Sequence, residues 1–182
     1  MPEGLLALIS PAISAAVGGA ISMLTVYLTN RSNTTRELER HKNELAKHRI
    51  ELRRTRGEEL FVLFDKWATD LHITHYAQHS WVSGIIQRQE GLDLLKKHMP
   101  GKRTVGRIDM LLRTYFPEAI PAYEHFLKGR NSVNTIAATC EQQASTGEVS
   151  TKMLVKLATG IEENQLRSEA VRSSILEQLR TL

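Results

Sequence analysis

Residues 57–98 read GEELFVLFDKWATDLHITHYAQHSWVSGIIQRQEGLDLLKKH, and this stretch decides the fold. Leu60, Phe61, Phe64, Trp67, Leu71, Val82, Ile85 and Ile86 recur with helical rather than two-residue period, marking a broad apolar face on an amphipathic helix. The chain holds only four Phe, four Tyr and two Trp. Phe61, Phe64, Trp67, Tyr76 and Trp81 all fall in this stretch, so it is expected to organise the core. Met99-Pro100-Gly101 ends the helix near His98.

Downstream, a second helical stretch covers 104–144, interrupted at Pro117 and Pro121 and open to a further break at Gly129-Arg130-Asn131. A third follows Ser145-Thr146-Gly147-Glu148 and runs over 148–182, with Val149, Met153, Leu157, Ile161, Val171, Ile175 and Leu179 on one face. Three stretches of similar length joined by short turns predict antiparallel packing in a cytoplasmic helical bundle, 58–182. No segment alternates with period two between hairpin turns, so the fold class is all-α. Neither an internal repeat nor a low-complexity segment is present.

Upstream, residues 31–57 are strongly polar. Thr34-Thr35-Arg36-Glu37 has the form of a capping box and predicts a helix start. Leu38, Leu45 and Leu52 then recur every seven residues, a thin coiled-coil-like seam on a charged juxtamembrane stalk. Such a helix is expected to be stable only when paired with another chain or with other helices.

The first thirty residues differ from all the rest. They contain one charged side chain, Glu3, whereas residues 31–182 carry all 24 Lys and Arg and the remaining 19 acids, a net +5. From 4 to 30 the sequence GLLALISPAISAAVGGAISMLTVYLTN would span roughly 40 Å as a helix, more than the ~30 Å of bilayer hydrocarbon. With Ser10 as N-cap and Pro11 as first helical residue, the regular span is expected over about 11–29. Nine Lys or Arg follow between Arg31 and Arg56. By the positive-inside rule they place a single-pass anchor in the inner cell membrane, with the N-terminus outside and the bulk of the chain cytoplasmic. A cleaved secretory signal would carry its positive charge before the apolar run instead. Small residues at four-residue spacing, Ser14, Gly18 and Ser22 beside Ala15 and Gly19, offer a face for close packing of helices in lipid.

Chemistry is sparse. Gly101-Lys102-Arg103-Thr104 resembles the end of a phosphate-binding loop, but Lys96 stands where the first glycine belongs and no strand precedes it. Zinc-protease, nucleophile-elbow and paired-cysteine patterns are absent from the sequence, and the chain is read as a non-enzyme. The single cysteine, Cys140, excludes an intrachain disulfide and reads as a small buried apolar residue. His72, His75 and His79 lie on one side of a helix within two turns, a candidate metal or pH site. No other cofactor is indicated. Lys96, Lys97, Lys102, Arg103 and Arg107 form a candidate patch for an anionic partner. No aromatic platform is interleaved with them, so nucleic acid is not expected.

These observations favour a membrane-anchored scaffold or sensor subunit that self-associates and recruits a membrane or cytosolic partner. The alternatives are a membrane-perturbing effector of toxin or antiviral cell-suicide type, acting through oligomers of its span, and a His-cluster metal-binding protein.

Overall fold

The computed structural model describes residues 3–99, 101–147 and 149–181, with side chains for residues 19, 22, 23, 25–99, 101, 103–147 and 149–181. Among them every regular element is helical: α1 (Glu3–Val82), α2 (Arg88–His98), α3 (Lys102–Tyr115), a 3₁₀ turn (Pro117–Ala119), α4 (Ile120–Thr146) and α5 (Thr151–Arg180). The chain divides into two compact units, Met1–Ile50 and Glu51–Leu182. The division therefore falls at 50/51 rather than at the expected 30/31 and 57/58.

The first unit is formed by α1 alone. Its helix begins at Glu3, so Ser10 and Pro11 do not open it. Nor do Thr34 and Thr35 cap a new helix. Their hydroxyls donate to the carbonyls of Asn30 and Arg31, four residues back, at 2.9 and 3.0 Å. A hydroxyl can satisfy itself this way inside a helix, which is why a capping-box pattern alone does not mark a start. Among the described residues no helix is long and apolar enough to cross a membrane. Most side chains of the expected span, including Ser14, Ala15 and Gly18, lie outside the described residues.

The second unit is a helical bundle. Its first member, residues 51–82 of α1, does not continue to 98 as expected. The Ser83-Gly84 pair stops it: Gly84 takes φ +76°, the Ile85 N–H returns to the Ser80 carbonyl at 2.8 Å, and the Gly84 N–H to that of Trp81 at 3.0 Å. This is a Schellman closure with glycine at the left-handed position. Ile85 and Ile86 extended the apolar period past that signal, yet Ile85 is 71% exposed.

Helices α2 and α3 then run back along α1. Gly91 lies against Trp81, His98 meets Asp70, Arg107 meets Glu59, and the Tyr115 carbonyl accepts from Arg53. Phe116 leaves the helical region at φ −135° because Pro117 follows it. Pro121, in the first turn of α4, helps begin a helix rather than breaking one. No break occurs at Gly129-Arg130-Asn131, where α4 is continuous. Gly129 instead permits close approach, since a Cβ there would collide with Asn164 and Arg167 of α5. Ser150 caps α5 by accepting from the Met153 N–H, so this helix starts at Thr151 rather than 148. Gly129 beside Asn164, and Gly160 beside Val133, give α4 and α5 opposite directions.

Two apolar clusters fill the bundle. One joins Leu60, Phe64 and Trp67 of α1 with Ile108, Leu111 and Phe116 of α3 and its C-cap, Tyr123 and Phe126 of α4, and Val171 and Ile175 of α5. The other joins Val82, Val133, Ile136, Cys140, Leu157 and Ile161. Phe61, expected among the core residues, is partly buried, and Tyr76 is 62% exposed.

Candidate functional site

In the first unit the notable surface is apolar and uncovered. Leu38 and Leu45 are 57% and 46% exposed, and Met23, Val26, Tyr27 and Leu28 are also exposed. Gly19 is bare, with nothing within 4 Å of a Cβ built on it, and Ser22 is exposed. Little else supports this helix. The ion pair Arg40–Glu44, at 3.0 Å, is largely solvated, and such pairs contribute only about 0.3–0.5 kcal/mol. Leu52, the third residue of the seam, lies in the second unit and is also exposed.

The three histidines do not converge on a common centre. Among the described residues, no group of three or more His, Cys, Asp or Glu could hold a metal ion. His75 is buried, and its Nε2 is 2.8 Å from the Asn134 Oδ1. That oxygen only accepts, so Nε2 carries the proton. His72 and His79 are half-buried.

Burial, the main cause, holds the His75 pKa below its ordinary 6.5, aided by nearby His72 and Arg130 and opposed by the Asn134 hydrogen bond. The unfolded chain therefore takes up the proton first as pH falls. Stability from the neutral ring is complete above pH about 6.5 and is lost below it. The bundle is expected to melt at lower temperature at pH 5 than at pH 7.5, with a smaller difference in His75→Gln. An equal difference in the variant would contradict this assignment.

The basic turn is also less free than its sequence suggests. Arg107 donates to both carboxylate oxygens of Glu59, at 2.7 and 2.9 Å. Arg56 binds the same carboxylate at 2.8 Å. These hydrogen bonds, that from Arg56 foremost, hold the Glu59 pKa below its ordinary value. Lys96 approaches Asp93 at 3.9 Å, Arg103 is exposed, and the side chain of Lys102 lies outside the described residues. Lys97 lines a hollow of about 400 Å³ with Trp67, Asp70 and His98. There His98 Nδ1 meets Asp70 Oδ1 at 2.8 Å. Sequence reading missed this pair because it spans a turn that was read as continuous helix.

The sequence also passed over the polar residues inside α5. Asn164 and Ser168 are each 4% exposed. Their signal was a gap: apolar positions recur to Ile161 and resume at Val171, and the two polar residues occupy the inward positions between. Arg172, from the same helix, donates to Asp65 at 2.8 Å and to the Ser168 hydroxyl at 3.2 Å. Cys140 is fully buried and burial pushes its thiol pKa up, the opposite of a reactive thiolate. No family model, curated protein or solved structure matches the chain.

Proposed function

We propose that this chain is a membrane-anchored scaffold or sensor subunit. Its N-terminal segment inserts as a single span, the stalk self-associates through Leu38, Leu45 and Leu52, and the helical bundle recruits a partner at the cytoplasmic face. The observation that carries this reading is a first unit made of one helix, with Leu38 and Leu45 exposed and no other element of that unit to cover them. An isolated helix gains little from propensity, and a leucine every seventh residue is the spacing that a second helix covers. Exposure of Met23, Val26 and Leu28 supports the anchor in the same way, because lipid removes apolar surface from water as a protein core does. The nine basic residues from Arg31 to Arg56 support the orientation.

Membrane fractionation of the full chain, tagged at its C-terminus, tests the anchor. The chain is expected to remain in the membrane pellet after an alkaline carbonate wash, with the tag cleaved by protease only when the cytoplasmic face is exposed. Deleting residues 2–30 should release it. Release of the intact chain by the wash would contradict the reading.

A further inference from the structure

The geometry points to a binding site for a small hydroxy- or amino-carboxylic acid inside the bundle, between α1, α4 and α5. A cavity of about 160 Å³ lies there, lined by His72 and His75 of α1, Phe126 of α4 and Asn164, Ser168 and Arg172 of α5. Cavities of ~150 Å³ in protein interiors accept benzene, which sets the ligand size at about six non-hydrogen atoms. Thr69 and Gln165, both exposed, stand at its edge and give solvent access.

The polar inventory of the walls selects the chemistry. Asn164 is almost fully buried, yet its Oδ1 has no hydrogen-bond partner among the described residues. Buried acceptors are nearly always paired, so this oxygen requires a donor that the protein does not supply. His75 adds a second acceptor. With Nε2–H given to Asn134, Nδ1 of the neutral ring is left with a lone pair and no partner among the described residues.

One helical turn further along α5 the character reverses. The Ser168 hydroxyl donates to the Gln165 carbonyl at 2.7 Å and receives Arg172 Nη1 at 3.2 Å, so its proton is already committed. Asp65 takes Arg172 Nε, leaving the Nη2 edge of the guanidinium with no printed partner among the described residues. Because Arg172 reaches back to Ser168, its head lies at the level of residue 168. That is roughly 6 Å along the helix axis from Asn164. A molecule with a hydroxyl or amine on the carbon next to a carboxylate can donate to Asn164 at one end and accept from Arg172 at the other. Phe126 and Ile161 provide the apolar wall for its short side chain.

The test is side-chain NMR on the full chain in detergent micelles, titrated in turn with glycine, L-alanine, L-serine, glycolate and L-lactate. At least one probe is expected to shift the Asn164 amide and the His75 ring saturably, with a dissociation constant below about 1 mM. Asn164→Leu should weaken that probe at least tenfold while circular dichroism shows unchanged helix. Arg172→Gln provides a second route if the leucine variant loses helix: it should weaken the carboxylates while glycinamide binding stays as it was. No saturable shift with any probe, equal affinity in both variants, or a crystal structure from saturating probe with ordered water alone in the cavity would overturn the proposal.

Discussion

Phe64→Ala is expected to destabilise the bundle by about 3–5 kcal/mol, the usual cost of emptying a fully buried aromatic site. Phe64 has no exposed surface. It stands edge-on to Trp67, Tyr123 and Phe126, with ring centroids 6.1, 6.3 and 5.3 Å away. Trp67 and Phe126 also meet at 5.4 Å, so one truncation loosens a four-ring cluster joining α1 to α4. Against a total stability of order 5–15 kcal/mol, the loss leaves a bundle that unfolds in mild denaturant. Urea titration followed by tryptophan fluorescence measures it. Val62→Ala is the control: that side chain is 65% exposed, and its change should stay within about 0.5 kcal/mol. Similar midpoints for the two variants would show that the cluster does not organise the core.

The second large effect is expected on association rather than folding. Replacing Leu38, Leu45 and Leu52 together by Asn should weaken self-association of the detergent-solubilised chain at least 100-fold. Full burial of one leucine side chain contributes about 1.5–3 kcal/mol, and each copy loses three. Even half-burial across the interface exceeds the 2.8 kcal/mol or so that two decades of affinity require. Since all three are exposed within a single chain, the bundle's unfolding midpoint should not move. Sedimentation velocity over a concentration series reads the first effect and urea titration the second. Unchanged association would place the interface elsewhere.

Much of the architecture was legible because helical period, Pro and Gly are local signals. The all-helical class followed from the period, and Leu60, Phe64 and Trp67 of the expected apolar face are core residues. What failed was punctuation. Ser83-Gly84 is a recognisable helix stop, but two isoleucines beyond it kept the apolar period alive and masked the reversal that sends α2 and α3 back along α1. Gly129 was read as flexible when its role is to let α5 come close, a fact that belongs to the pairing of two helices rather than to either sequence. The stalk's exposed leucines were visible from heptad spacing alone. The cavity was not, because Asp65, His75 and Arg172 are brought together only by the bundle. Its one local trace was the polar interruption at Asn164 and Ser168. Charge proved the least readable property. Arg107 looked like part of an open basic patch, but pairing with Glu59 across 48 residues of chain removes it from that role.

Cysteine crosslinking in native membranes tests self-association through the stalk most directly. The only native thiol, Cys140, is fully buried and serves as the background. Leu45→Cys places a thiol on the heptad seam, and Asn43→Cys places one two residues away on the outward face. Under mild oxidation Leu45→Cys is expected to give a covalent dimer, and Asn43→Cys and the unsubstituted chain none. Monomer alone from Leu45→Cys, or equal dimer from both variants, would contradict a seam built on Leu38, Leu45 and Leu52.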